Sequence, residues 1–489
     1  MSHSLGYSLL GIGYSAPATQ RLPPPPTPSL AYPVQRRTLF FVNKRPQEKL
    51  RDAAVEVTHR LQSAGFTAYW AGGCVRDMIM GRRPVDYDIA TSARPEQVQA
   101  VFPGAKLVGK AFGVALVHRD AADFEVATFR TDHAYKDGRH PEHVTFSNPE
   151  RDAKRRDFTI NALFFDPITE TIFDFVGGRK DLAQQRIRTV GSPARRFAED
   201  HLRMLRAVRF AATLDFTIDP ATKTAIQRHA AKLAQISPER IAQELTRLLL
   251  EAKAAGEALV LLDEVGLLAV ILPEVAAMKG QEQPVRFHPE GDVFRHTVLL
   301  LNLCDQRDPI LTYAALLHDI GKPATARTDE NGRVRFNRHA AHGETLTRQI
   351  LARLRFPTAQ IDAIAHCVGN HMRFMDVQKM RRATLRKLVG APTFATELAL
   401  HRLDCLASHG KMDNFEFLQK TLQEFESEPV MPPPWISGRD IMALGVAQGP
   451  LVGKWKKRAY DMQLEGEAAS REDLLAWLQK EIAREARRS

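Results

Sequence analysis

Strand-like segments in this 489-residue chain are confined to residues before Val176, and the remainder is patterned almost wholly for helices. Short apolar or alternating runs occur at FTAYWAGG (66–73), VDYDIAT (85–91), FGVALVHR (112–119), FEVATFR (124–130) and ALFFDP (162–167). Between them, EKLRDAAVEVTHRLQSA (48–64) and CVRDMIMG (74–81) have helical spacing. From SPARRFAEDHLRMLRAVRFAATL (192–214) onward, apolar residues recur at three and four, and Pro and Gly mark the loops. Strands succeeded by a long run of helices predict an α+β fold class: an N-terminal mixed sheet with helices, then all-helical domains.

A chain of this length exceeds one core and predicts about two to four domains. Residues 47–176 form the mixed domain and 177–280 a helical connector. Residues 281–427 form a histidine-rich helical domain, which holds most of the clustered histidines: nine of the 17 fall in 285–410. After the EPVMPPPW linker, 428–489 form a helical tail. Residues 1–46 contain no Asp or Glu and include RLPPPPTPSL, which predicts a disordered tail or a start codon placed too far upstream. The same acid-poor composition also suits an organelle transit peptide. The most apolar stretch, ALVLLDEVGLLAVILPEVAAM (258–278), is interrupted by Asp263, Glu264 and Glu274, so no membrane span is expected and a buried helix pair is. Four scattered cysteines without a CxxC pair fit a reducing compartment, here taken as cytoplasmic. A net charge of +11 suits either an ordinary basic protein or a partner of a polyanion such as nucleic acid.

Asp86 and Asp88 are two residues apart in RRPVDYDIAT. On a strand such residues share a face, and two adjacent carboxylates repel unless a cation lies between them. Just upstream, Gly72 and Gly73 let backbone approach a phosphate closely at a helix start, and Arg76 adds a charged clamp. FEVATFR and the preceding Asp123 supply a third acid, with Glu125 on the same strand face as Asp123. Three carboxylates that hold two magnesium ions make a site for in-line phosphoryl or nucleotidyl transfer.

Taken in order, GGCVRD, DYDIAT, FEVATFR, RRDFTINAL, FDFVGGRKDL and EDHLRMLRAVRF resemble the class II tRNA nucleotidyltransferase and bacterial poly(A) polymerase superfamily. The resemblance implies that Asp86 and Asp88 are the magnesium ligands and Glu125 the third catalytic carboxylate. It implies that Arg156, Asp157 and Asn161 lie near the ribose and phosphates of the incoming nucleotide. TDHAYKDGRHPEHVTF (131–146) occupies the place of a flexible loop that family members use in switching to A addition. In EDHLRMLR, Asp200 and Arg203 are spaced to share a helix face. A carboxylate accepts and a guanidinium donates, which matches the amino group and ring nitrogen of cytosine and adenine. Guanine and uracil present a protonated ring nitrogen beside a carbonyl, so the pair rejects them. The resemblance assigns the same template role to this pair, and Arg206 is grouped with it as nucleotide-binding.

Residues 436–478 resemble the C-terminal segment of HD-containing tRNA CCA-adding enzymes. There GPLVGK and the adjoining Lys454, Lys456, Lys457 and Arg458 offer a basic surface to an RNA backbone. The implied activity is CCA addition to tRNA from CTP and ATP. Poly(A) polymerization, and CC-only or A-only addition, share the same head motifs. FRHT, LLHDIGKP, FNRHAAHGE, GNHM and HRLDC form an HD-type arrangement. A single divalent metal would take His296, His318, Asp319 and Asp404. His339 and His371 match the positions at which some HD domains bind a second metal, and His342 is expected at the surface. A metal-dependent phosphohydrolase in this domain is the competing functional class.

Overall fold

The computed structural model describes residues 44–109, 113–120, 122–132, 144–284, 288–305, 307–425 and 429–487. The expectations for residues 1–46 lie almost entirely outside them. The described chain opens with the Lys44–Ser63 helix and continues into strand β1 (Ala68–Ala71), the Gly73–Ile79 helix and β2 (Asp88–Thr91). The Pro95–Val101 helix leads to β3 (Lys106–Gly109), β4 (Val114–Arg119) and β5 (Ala122–Thr128). A small hairpin, β6 (Arg130–Asp132) and β7 (Val144–Phe146), precedes the Pro149–Arg155 helix, β8 (Leu163–Asp166) and β9 (Thr171–Asp174). The seven sheet strands lie in the order β3-β4-β5-β2-β1-β8-β9, and only the β2–β5 pairing is parallel.

Strand alternation gives this sheet two buried faces. Trp70, Ile89, Phe124 and Val126 point to one, where Trp70 Nε1 donates to Thr58 Oγ1 at 3.1 Å and ties the first helix down. Ala71, Ala90 and Phe164 point to the other, with Phe129 packed among them. In the β1–β2 register Asp88 is opposite Ala71, immediately before the Gly72–Gly73 turn. Strand pairing thus sets an acid beside a glycine turn that is 16 residues away in the chain.

The first of those buried faces is continuous with the later helices, through Leu202–Leu214, Pro238–Glu251 and Ala255–Glu264 to those of the histidine-rich region. The tail has its own core, built on Ile441, Trp455, Leu474 and Leu478. Two expectations need correction. Residues 258–278 form the end of one helix, Ala255–Glu264, and two short ones, Leu268–Ile271 and Pro273–Ala276, because Gly266 at φ 76° and Pro273 interrupt the run. Strands also recur after Val176: a parallel pair β10 (Arg186–Ile187) and β11 (Thr217–Ile218), and a hairpin β12 (Ala326–Thr328) and β13 (Val334–Phe336). Each is too short to impose an alternating pattern. The hairpin turn does carry an Asn331–Gly332 signal, with Gly332 at φ 73°.

Candidate active site and metal centre

Between the sheet and the Leu202–Leu214 and Pro238–Glu251 helices lies a cleft of about 930 Å³. Gly72, Gly73, Arg76, Asp86, Asp88, Arg156, Asp157, Asn161, Asp200, Arg203 and Arg206 all line it. Nine arginines against seven acids make its wall net positive, which suits a polyphosphate.

Asp88 begins β2, whereas Asp86 lies in the extended lead-in before the strand, so the two acids share the cleft without sharing a strand. Both are exposed to it. Glu125 lies on β5 one residue before the Ile89–Val126 pairing, as Asp88 does on β2, so the two acids are neighbours on one face of the sheet. Desolvation raises the Asp88 carboxyl to about 6, and the negative charges of Asp86 and Glu125 add to the rise, against the pull of Arg156. A carboxylate whose charge is disfavoured by two neighbouring acids marks a site that a divalent cation would relieve. Gly72, at φ 78°, is where backbone comes closest: an added Cβ would be 3.2 Å from the Arg156 guanidinium and 3.9 Å from Asp88 Oδ2.

Arg76 donates from Nη1 to Asn161 Oδ1 at 2.8 Å and pairs with Asp77. Arg156 is held by Asp152 at 3.0 Å and by the Asn161 carbonyl at 3.3 Å. Asp157 accepts from Arg206 Nε and Nη2 at 3.0 and 2.8 Å. Burial alone would push the Asp157 carboxyl up, but the Arg206 charge overrides it and holds it at about 2. Arg206 therefore braces the sheet domain against the connector and presents little free charge to a ligand.

Asp200 and Arg203 are arranged differently from the predicted helix pair. Asp200 sits at the break between the Pro193–Glu199 and Leu202–Leu214 helices and pairs with Arg240, at 2.7 Å from Oδ2. Arg203 pairs with Glu199 at 2.7 Å. Each member is thus positioned by a separate partner, and the two do not satisfy each other. Arg240, Glu199 and the buried Glu244, which takes Arg209 at 2.6 Å and Arg206 at 3.4 Å, were missed by sequence reasoning. The signal was present in SPERIAQEL, where Arg240 and Glu244 are one turn apart on a helix.

In the histidine-rich domain six predicted residues converge. His296 Nε2 lies 3.2 Å from His318 Nε2 and 3.1 Å from Asp404 Oδ1. Asp319 stands between two pairs of rings: Oδ2 is 3.1 Å from His318 Nε2, and Oδ1 is 3.5 Å from His339 Nε2 and 3.8 Å from His371 Nε2. His318, His339 and His371 each use Nδ1 on a backbone carbonyl, which leaves Nε2 lone pairs aimed at one another. That donor set falls into two groups, His296–His318–Asp319 and Asp319–His339–His371, whose chemistry would suit divalent metal. Burial lowers His371 to about 4, while hydrogen bonds to Asp404 and Glu290 overcome burial and raise His296 to about 9. Lys322 touches Asp319 Oδ2 at 2.7 Å, and Glu290 touches His296 Nδ1; neither was predicted. His342 is exposed and outside the cluster, as expected.

In the tail, Gly449 precedes the Pro450–Glu465 helix as predicted. Lys454 pairs with Glu485 at 2.6 Å and Arg458 with Glu481 at 3.4 Å, so their charge is partly neutralized by the neighbouring helix. Lys456 and Lys457 project into solvent. No described helix is long and apolar enough to cross a membrane.

An acid-bearing mixed sheet, an arginine-walled cleft closed by a helical connector, and a separate histidine–aspartate cluster are the layout of a polymerase-type head joined to an HD domain. Family models agree: "Poly A polymerase head domain" matches residues 68–188, "Probable RNA and SrmB- binding site of polymerase A" matches 215–279, and "HD domain" matches 293–407. These matches bear out, domain by domain, the resemblance to the class II tRNA nucleotidyltransferase and bacterial poly(A) polymerase superfamily. A CCA-adding enzyme of Geobacillus stearothermophilus is 46% identical over 234 residues, 48% of this chain and 56% of the relative. One from Lactobacillus johnsonii is 37% identical over 266 residues, 53% of this chain and 65% of the relative. The chain thus spans roughly half the length of the first curated relatives it matches. The crystal structure of the Bacillus stearothermophilus CCA-adding enzyme in complex with CTP superposes with a TM-score of 0.70 at 28% identity, over 90% of this chain and 99% of that one. The Thermotoga maritima CCA-adding enzyme complexed with tRNA-CCA shares the fold, with a TM-score of 0.56 at 18% identity over 88% of this chain and 95% of that one.

Proposed function

We propose that this protein is a template-independent tRNA nucleotidyltransferase that adds CCA to tRNA 3′ ends from CTP and ATP. The observation that carries the reading is the placement of Asp200 and Arg203, each held by its own partner, in one cleft with Asp86 and Asp88. Relatives named CCA-adding enzymes, one of them solved with CTP, support the substrate assignment.

Asp86 and Asp88, with Glu125 beside Asp88 on the adjoining strand, would hold two magnesium ions. Magnesium bound there supplies charge neutralization at the phosphate and an acidified primer hydroxyl. The rest is done by the chain. Arg76 and Arg156 bind triphosphate oxygens, and Asn161, fixed between Arg76 and Asp157, faces the ribose. Asp200 accepts the amino hydrogen of C or A while Arg203 donates to the ring nitrogen. U and G would leave both groups facing the wrong partner, which costs several kcal/mol. In this reading residues 47–176 are the head, 177–280 the base-reading neck, 281–427 the HD domain and 428–489 the tRNA-binding tail. The tail docks through Lys456 and Lys457, and the enzyme works in the cytoplasm.

The test is end-sequencing of a tRNA transcript lacking CCA, incubated with the purified protein, magnesium and all four nucleotides. Addition that stops at CCA is expected. A long A tract on any RNA would identify a poly(A) polymerase, and CC or A alone a divided enzyme. The converging Nε2 atoms favour a second reading alongside the first, in which the HD domain holds divalent metal and hydrolyses phosphate esters. Loss of phosphatase activity in Asp319→Ala with CCA addition intact would support it.

A further inference from the structure

We infer that Glu290 is the positioning residue of the histidine cluster: its carboxylate fixes the His296 ring with Nε2 turned toward the metal position. The inference rests on reading that cluster as a divalent-metal site. Three of the four rings are oriented by backbone. His318 Nδ1 donates to the Ala315 carbonyl at 2.9 Å, His339 Nδ1 to that of Phe336 at 2.8 Å, and His371 Nδ1 to that of Val368 at 2.7 Å. His296 is the exception. Its Nδ1 meets Glu290 Oε1 at 2.7 Å, so a carboxylate does for this ring what a carbonyl does for the others.

The local chain is built to make that contact. Glu290 lies in the loop before the Val293–Leu303 helix, and Gly291, at φ 120°, reverses the chain just after it. Asp292 then caps the helix on Arg295 N at 2.8 Å and also takes Gly280 N at 2.8 Å, which anchors the loop from both sides. The Glu290 side chain is 6% exposed. Its Oε1 also takes His288 Nδ1 at 2.9 Å, and its buried Oε2 has no hydrogen-bond partner among the described residues. A buried carboxylate left half satisfied is costly. A carboxylate behind a ligating imidazole fixes the tautomer and strengthens the ring as a donor, which explains its presence. His288, edge-on to His296 with ring centroids 4.9 Å apart, braces the carboxylate from the solvent side.

The test uses the full chain stripped with a chelator and titrated with Co2+, read by its visible absorption and by chelator competition. Glu290→Leu is expected to weaken Co2+ binding at one position by about 10–100-fold and to change the absorption of that ion. Glu290→Gln keeps an oxygen that accepts from Nδ1, so it should recover the wild-type spectrum with a smaller loss of affinity. Unchanged affinity and spectrum in Glu290→Leu, where His296→Ala loses an ion, would overturn the inference. A third equivalent of metal that vanishes in Glu290→Leu with the other two intact would make Glu290 a ligand and overturn it as well. Failure of the wild-type chain to bind Co2+ would instead remove the metal reading on which it rests.

Discussion

Replacing Arg240 with alanine removes the group that holds Asp200 in the cleft and leaves the predicted base-reading residues themselves untouched. Arg240 Nη2 donates to Asp200 Oδ2 at 2.7 Å, and Nη1 lies 3.4 Å from Oδ1, which also accepts Leu202 N at 3.0 Å. The side chains are 20% and 15% exposed, so the pair is screened only in part. A charge-assisted hydrogen bond of this kind contributes about 1.5–3 kcal/mol, and solvent access brings that to about 1–2 kcal/mol here. Asp200 would keep one backbone N–H and become free to turn. At about 1.4 kcal/mol for each factor of ten, kcat/KM for CTP should fall about 5–30-fold. The ratio of CTP to UTP incorporation should fall too, since a carboxylate that moves no longer penalizes uracil. The assay is single-turnover extension of a tRNA lacking CCA, with each nucleotide alone and in competition. Unchanged discrimination, with or without a loss of rate, would refute the claim that Arg240 acts through Asp200.

Three further outcomes are expected. With the Asp88 carboxyl raised to about 6, a proton competes with magnesium below that pH, so addition should decline as pH falls through about 6 and the decline should move to lower pH as magnesium is raised; a profile flat to about pH 5 at low magnesium would contradict this. Glu244→Leu removes the 2.6 Å partner of Arg209, 3% exposed, and leaves it Glu251 at 3.7 Å, so it should cost about 1.5–3 kcal/mol in urea unfolding, and a loss below about 0.5 kcal/mol would show the pair to be dispensable. In Gly321→Ala the new Cβ would stand 2.2 Å from the His339 carbonyl, so divalent-metal binding by the HD domain should fall sharply while nucleotide addition persists, as measured by metal content after gel filtration.

Much of the head was legible because its chemistry lies in contiguous motifs. The glycine turn, the two aspartates and RRDFTINAL each identify themselves by residue type and spacing, and the sheet carries them to one cleft. Glu125 was legible as an acid on the adjoining strand, but its place beside Asp88 depends on the parallel β2–β5 pairing, which no local pattern encodes. Asp200 and Arg203 were legible as a pair, and their separation was not. The backbone breaks at Asp200, and the charges that hold the two come from Glu199 and from Arg240, which is 40 residues downstream of Asp200. The tail's basic run was visible in sequence, whereas the pairing of Lys454 and Arg458 with the last helix was not.

The amino-acid sequence by itself determined the succession of a mixed head and helical domains, the acids and histidines available for metal, and the basic character of the chain. Periodicity, glycine placement and residue chemistry are local properties, and a linear string holds them in full. Tertiary structure alone decided which charges meet. Arg206 is spent on Asp157, Asp200 leans on Arg240, and His296 meets Asp404. Those choices depend on distances of a few ångströms between segments far apart in the chain, because charge pairing and desolvation act through space.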